Sequence, residues 1–364
     1  MKEAVPLPYA DLRCMFRLVQ ILHRLQRLPS YRQQVASSSP PVAHRDPGHE
    51  SVMMGYDFHL TPSGPRLIEV NTNAGGALLA YRAYQPNFPD GPIPWHDRYL
   101  TTLLESFFQE MRLFSAGRLA QPRRVIILDD EPEKQFLAEE MRLLCTLFAA
   151  RGVAANLADP SVLQMGENGV FFQGERVDLI YNRHCDFYLE SPGLAGLRAA
   201  YLAGQVCLTP NPHTYALLAD KRRMILWSDP LLLATLGLSE RAMHWLRTLV
   251  PRTRLLAQVE MEPLWAERKR WVFKPVTAFG SRGVLLGDSI SRQRFQALDP
   301  HNTLIQEFIP PSLLAESRMK MDWRLFVYQN RLLGVAPRLY QGQVTNFRTP
   351  GGGYAPVRLV RQSS

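Results

Sequence analysis

The chain has 364 residues, 46% of them hydrophobic and 21% charged. These proportions exclude a wholly disordered chain, a collagen and a coiled-coil rod, and the length suits two or three domains of ~100–200 residues. The net charge of +9 favours an anionic partner, which a nucleic acid, a membrane surface or a phosphorylated small molecule would each satisfy.

No window approaches ~18 uncharged apolar residues, so a spanning helix is not expected. Charges interrupt the apolar stretch at the N-terminus, unlike a signal peptide, and the chain reads as cytoplasmic. Cys14, Cys145, Cys185 and Cys207 form no CxxC pair, which favours free thiols over a disulfide framework or a zinc ribbon. The basic clusters Lys221-Arg222-Arg223 and Arg268-Lys269-Arg270 are short, and no RNP or zinc-finger spacing accompanies them.

In chain order, Leu12, Met15, Phe16, Val19, Leu22 and Leu25 lie at helical spacing and predict one amphipathic helix over 11–35. A polar Ser/Pro loop follows. The runs SVMMGYDFHL and PRLIEVN, separated by TPSG, predict a β-hairpin. NTNAGG reads as a loop and 98–116 as a helix. From about 120 the pattern alternates: strand RRVIILDD, helix EKQFLAEEMRLLCTLFAARG, strands VAANLA and VDLIYNR, helix LAGLRAAYLAG, strand QVCLTPNP. Such alternation indicates a small parallel α/β unit, and the absence of GxGxxG argues against a dinucleotide site. From about 219 a helical stretch (YALLADKRRMILWSD) leads into RWVFKPV, RGVLLG, NTLIQEFI, WRLFVYQN and RLLGVAPRLY, an α+β pattern with antiparallel hairpins.

Five constellations carry candidate chemistry. A hairpin centred on Ser63 sets Asp57 opposite Glu69 and puts Asn71 on the same face as Glu69. Two carboxylates about 5 Å apart repel by roughly 3 kcal/mol at an effective dielectric of about 20. A divalent cation would offset that repulsion; the alternative is a solvated acidic hairpin face. Lys274 lies in a strand before a loop holding Gly280, Ser281 and Gly283, either a phosphate cradle or an ordinary flexible turn. Lys221 adjoins a helix start, where a solvated basic face is the competing reading. Gln306 and Glu307 end an apolar strand stopped by Pro310 and Pro311, and could meet a base and a ribose or simply solvent. Asp322 and Arg324 share a strand face, Arg338 closes the next strand, and Asn346, Arg348 and Gly351-Gly352-Gly353 follow in a loop suited to an anion. Met53 and Met54 read as core, His59 as structural. His184 and Cys185 would point to opposite faces of a strand and are poorly placed to act as a nucleophile pair.

Together these constellations resemble the ATP-grasp superfamily: the lysines 221 and 274, the covering loop AFGSRGV, the hinge strand IQEFI, DWRLFV followed by APR, and GYD with EVN downstream. The metal hairpin comes first rather than last. That order resembles the circularly permuted branch, which includes eukaryotic-type glutathione synthetase, and LIEVNTNAGGALLA is similar to a stretch of that enzyme. The resemblance implies an α/β fold with a Rossmann-like parallel unit and an antiparallel, nucleotide-clamping α+β lid. Its parts would be a metal-binding segment at 1–118, the Rossmann-like unit at 119–218, the lid at 219–320, and a return at 321–364 with the phosphate-binding strand.

The same resemblance implies ATP and Mg²⁺, two ions, as cofactors. Asp57, Glu69 and Asn71 would hold the metal, and Lys221 and Lys274 the phosphates nearer the base. Gln306 and Glu307 would flank adenine and ribose, Ser281 and Gly283 would belong to the closing loop, and Arg338 and Asn346 would hold the transferred phosphoryl group. The implied enzyme is a carboxylate–amine ligase of the acid–amino-acid type working through an acyl phosphate, with small carboxylate and amine substrates. The resemblance allows a homodimer and implies no membrane partner. A small-molecule kinase on the same fold, a basic nucleic-acid-binding protein and a degenerate binding fold are the alternatives; the acidic hairpin disfavours nucleic acid. Arg183 and Asn211, at predicted strand ends, are candidates for a substrate carboxylate.

Overall fold

The structure is a computed structural model, and it describes residues 4–84, 96–277, 283–314, 317–343, 345 and 349–361. Its organising element is the hairpin of Met54–Thr61 and Gly64–Asn71. Thr61 faces Gly64, so the turn is Pro62-Ser63 and a regular ladder would set Asp57 opposite Ile68. A bulge between Asp57 and Phe58 takes up one residue and brings Glu69 opposite Asp57 instead. The expected pair therefore forms, but through the bulge and not through a turn centred on Ser63.

The hairpin is part of a six-stranded sheet. Gly353–Tyr354, Arg331–Tyr340, Lys320–Tyr328, Met54–Thr61 and Gly64–Asn71 follow in order, and Ser312–Leu313 also pairs with Lys320–Tyr328. Every pairing is antiparallel. Alternation gives the sheet two unlike faces. Tyr56, Phe58, Leu67, Trp323 and Leu325 point into the largest apolar core, against Met15, Leu18, Val19 and Leu22 of the N-terminal helix. Asp57, Glu69, Asn71, Asp322, Arg324 and Arg338 point the other way, into a cleft.

The N-terminal helix is Tyr9–Leu25, and a second helix, Pro29–Ala36, replaces the rest of the single one predicted over 11–35. Pro29 cannot continue a helix, and it holds Leu28 in an extended conformation with ψ 128°. The stretch after 215 is also divided. Tyr215–Ala219 forms a π-turn, Asp220 is extended, and Lys221 sits in the turn before the helix Arg223–Ser228.

The parallel unit is present as a four-stranded sheet ordered Cys207–Thr209, Leu179–Asn182, Arg124–Leu128, Ala154–Ala158. Val125 and Ile127 pack on one side with Phe107 and Phe148, while Ile126 and Leu128 pack on the other with Leu208 and Tyr201. Burial on both faces explains why RVIIL is apolar without a break. Elements that went unread include the helix Ala77–Tyr84, the parallel pair Val5–Pro8 and Val357–Val360, and a three-stranded antiparallel sheet, Gln164–Gly166, Gly169–Phe172 and Glu175–Val177.

A third sheet orders Thr253–Leu255, Thr303–Glu307, Trp271–Pro275 and Leu285–Leu286, all antiparallel. It has its own core of Leu256, Leu264, Phe273, Ile290, Phe295 and Ile305. No helix among the described residues is long and apolar enough to cross a membrane.

Phe58 is fully buried on the apolar face of the hairpin. Phe58→Ala is expected to destabilise the protein by about 3–5 kcal/mol, visible in urea unfolding; an unchanged midpoint would place the core elsewhere.

Candidate functional site

The polar face of the six-stranded sheet forms the floor of a cleft of about 500 Å³. The ends of parallel strands contribute Asp129, Arg183 and Cys185 to one side, and the small sheet contributes Val272, Lys274, Gln306 and Glu307 to the other.

Four buried charges alternate on the floor. Arg324 donates to both oxygens of Asp57, from Nε at 2.7 Å and Nη2 at 2.6 Å. Arg338 Nη2 lies 2.8 Å from Asp57, and its Nε and Nη2 donate to Asp322 at 2.6 and 3.0 Å. Thr345 adds a hydroxyl donor to Asp322 at 2.5 Å. Burial by itself would push the Asp57 carboxyl up; the guanidinium groups of Arg324 and Arg338 overcome it and hold the acid well below the usual range. This corrects the sequence argument, which needed a cation to offset the repulsion between Asp57 and Glu69. For Asp57 the compensation comes from two arginines.

Asn71 connects the two acids. Its Nδ2 donates to Asp57 Oδ2 and to Glu69 Oε1, each at 3.2 Å. The three side chains thus converge as the hairpin register predicts. Two carboxylates are hard donors of the kind Mg²⁺ prefers; Asn71 turns its amide nitrogen to them here and would add its oxygen only with the amide turned over, so water or phosphate oxygens would complete the shell. Among the described residues no group of three or more His, Cys, Asp or Glu forms a closed metal site.

Lys274 is buried, and its Nζ donates to the Ile68 carbonyl at 3.1 Å. Burial brings its ammonium down to about 8, against the pull of Glu69. Burial also lowers Lys221, with Glu69 and Asp220 opposing. Lys221, Lys274, Glu69 and Gln306 line a narrow recess beside the cleft with Met224 and Trp227. Gln306 Nε2 donates to Thr253 Oγ1 at 3.4 Å. The Glu307 carboxylate at the rim is already paired with Arg66 at 3.0 Å. Arg338 keeps its Nη1 without a partner among the described residues.

Other candidates fall outside. Gly283 is exposed with φ +72° and does not line the cleft. Ser281, Asn346 and Arg348 lie outside the described residues. Gly351–Gly353 make a turn that returns the chain to pair Gly353 with Leu339, away from the cleft wall. A Cβ at Gly352 would meet the Leu339 carbonyl oxygen at 2.8 Å, so close packing explains that glycine. Asn211 is no carboxylate binder: its Oδ1 caps Thr214 and its Nδ2 donates to the Glu50 carbonyl. His59, by contrast, lines the cleft, and its Nδ1 donates to the Ile309 carbonyl at 2.7 Å. The unread lining residue with most chemical content is Asp129, whose signal was an acidic pair at the end of the RVIIL strand.

No protein-family model matches the chain, and no curated protein matches it in sequence. Among solved structures, it is similar to a protein named provisionally as a gamma-glutamylcysteine synthetase from Methylobacillus flagellatus KT. The TM-score is 0.54 at 10% identity, over 98% of this chain and 89% of that one. At that identity the likeness is one of fold: a mixed α/β architecture with parallel and antiparallel sheets. The ATP-grasp ligase PsnB with its minimal precursor also matches, at TM-score 0.41 and 16% identity, over 65% of this chain and 78% of that one.

The lysine sets a pH dependence. Lys274 is charged below about pH 7 and loses its proton as pH rises through about 8. Affinity for sulfate, whose own charge is constant over this range, is expected to be flat below that point, then to fall by up to ~tenfold per pH unit above it. Lys274→Gln should weaken binding and flatten the profile, as read by calorimetry; an unaltered profile would remove Lys274 from the anion site.

Proposed function

We propose that the protein is an ATP- and Mg²⁺-dependent carboxylate–amine ligase with a circularly permuted ATP-grasp architecture. One observation carries the reading: Asp57, Glu69 and Asn71 meet within hydrogen-bond distance on the floor of a cleft that also holds Lys274, Arg338, Gln306 and Glu307. A site for a triphosphate needs oxygen donors for a cation and fixed positive charge for the phosphates, and both are here.

In this reading Asp57, Glu69 and Asn71 would hold Mg²⁺, which when bound neutralises charge on phosphate oxygens. Lys221 and Lys274 bind the inner phosphates, their ammonium groups partly stripped of water and therefore strong partners for an anion. Gln306 and Glu307 meet the base and ribose from the small sheet, and residues around Ser281 and Gly283 cover the phosphates. Arg338 offers its spare Nη1 to the γ-phosphoryl group, assisted by Asn346. A substrate carboxylate takes that group to give an acyl phosphate and ADP, and an amine then displaces phosphate to form the amide. Fixed charge aimed at the phosphoryl oxygens is the main source of acceleration. Closure of the small sheet over the cleft keeps water from the acyl phosphate. A cytoplasmic setting, where ATP and Mg²⁺ are abundant, suits this chemistry.

The test is an ATP titration by calorimetry with Mg²⁺ and with EDTA. Glu69→Gln is the cleaner variant. Asp57→Asn would strip a buried charge from two guanidinium groups, at a cost of about 3–5 kcal/mol in folding. Binding that requires Mg²⁺ is expected, with turnover in Glu69→Gln at least ~tenfold lower. An amide product identifies the ligase, and a stable phosphorylated compound would identify a kinase instead. If no ATP binds under either condition, the reading falls.

A further inference from the structure

The parallel strands Arg124–Leu128 and Leu179–Asn182 lie side by side, and their carboxyl ends open on the cleft. Open α/β sheets hold ligands at such ends. Each of these strands is followed at once by a charged residue, Asp129 after the first and Arg183 after the second. The Arg183 N–H donates to the Leu128 carbonyl at 2.7 Å, so the two residues leave the sheet as neighbours, and both line the cleft.

Arg183 is only 8% exposed. Its Nη1 donates to the Asn73 carbonyl at 2.6 Å and to the Tyr181 hydroxyl at 3.2 Å. Among the described residues its Nε and Nη2 have no acceptor, and no carboxylate lies within ion-pair distance. Glu140 and Asp129 lie near enough to favour its charge without touching it, and the Glu140 carboxylate is taken by the Gly76 and Leu78 N–H groups. Gly75 packs beside this group: a Cβ there would collide with both Leu137 Cδ1 and Arg183 Nη2, so the guanidinium is held in a fixed position at the cleft.

Asp129 is the complement. It is half-buried and accepts a hydrogen bond from the Asp130 N–H at 2.9 Å. No cation lies within ion-pair distance of it among the described residues, whereas Asp130 is taken by His184 at 3.0 Å. Burial pushes the Asp129 carboxyl up, and Arg183 only partly offsets this. A cation at Asp129 would therefore be favoured.

We propose that Arg183 and Asp129 form a subsite for a free α-amino acid, with its carboxylate on Nε and Nη2 of Arg183 and its ammonium on Asp129. An α-amino acid carries opposite charges on a single carbon. It therefore needs opposite charges on adjacent supports, and neighbouring strands, about 4.8 Å apart, provide that spacing. The proposal rests on the ligase reading in making this amino acid one of the two joined substrates.

The experiment is calorimetry of the full chain with each of the twenty L-amino acids, with and without the ATP analogue AMPPNP and Mg²⁺. The best binder is then compared with its deaminated acid and its α-carboxamide. Saturable binding of at least one amino acid is expected, weakened at least tenfold by loss of either charged group. Arg183→Met should weaken the amino acid and the deaminated acid alike. Asp129→Asn should weaken the amino acid at least tenfold and leave the deaminated acid no weaker. Should Arg183→Met fail to fold, the half-exposed Asp129→Asn still carries the test. Saturation by none of the twenty, or wild-type affinity in Asp129→Asn, would overturn the subsite. AMPPNP binding without amino-acid binding sinks the subsite and spares the ligase reading. Amino-acid binding without AMPPNP binding does the reverse.

Discussion

Four buried charges, Asp57, Asp322, Arg324 and Arg338, hold the centre of this protein in place. They sit on three adjacent strands of one sheet, each within hydrogen-bond distance of an opposite charge. Their sum is zero, so these four side chains can be buried and charged at once. Removing any one leaves its partners buried without compensation, which costs far more than the net worth of the pair. The same arrangement aligns the strands: Arg324 lies opposite Asp57 and Arg338 opposite Asp322 in the ladder, so a register slip of one residue would break both pairs.

The rest of the cleft is built out from that floor. One face of the sheet is apolar and anchors the N-terminal helix; the other is polar and receives contributions from two further sheets. The small sheet brings Lys274, whose burial weakens its hold on its own proton. The parallel sheet brings Asp129 and Arg183 at its strand ends. Positive and negative groups therefore alternate round one space. That distribution suits a polar ligand with charges of both signs better than the simple basic surface that the net charge suggests.

Much of this was legible from residue order. Period-two alternation located the hairpin and assigned Asp57, Glu69 and Asn71 to one face; continuous apolar runs located the parallel strands. What escaped depended on contacts distant in sequence. Asp322 and Arg324 were assigned to one face, but that Asp57 would be the partner of Arg324 follows only from the pairing of strands more than two hundred residues apart. Asn211 looked like a ligand at a strand end because nothing local shows that its amide caps Thr214 and reaches the Glu50 carbonyl. The glycine run at 351–353 looked like an anion loop, whereas close approach to Leu339 accounts for Gly352.

By itself, then, the sequence determined the mixed α/β class, the two faces of the hairpin and the residue types available for chemistry, since periodicity and composition are local properties. Tertiary structure decided which charges are neutralised and which remain to meet a ligand. Asp57 is charge-balanced by arginines while still facing the cleft, and Arg183 and Asp129 keep hydrogen-bonding capacity among the described residues. That difference arises from burial and from partners brought together by folding, and the strength of a charge's interactions depends on both.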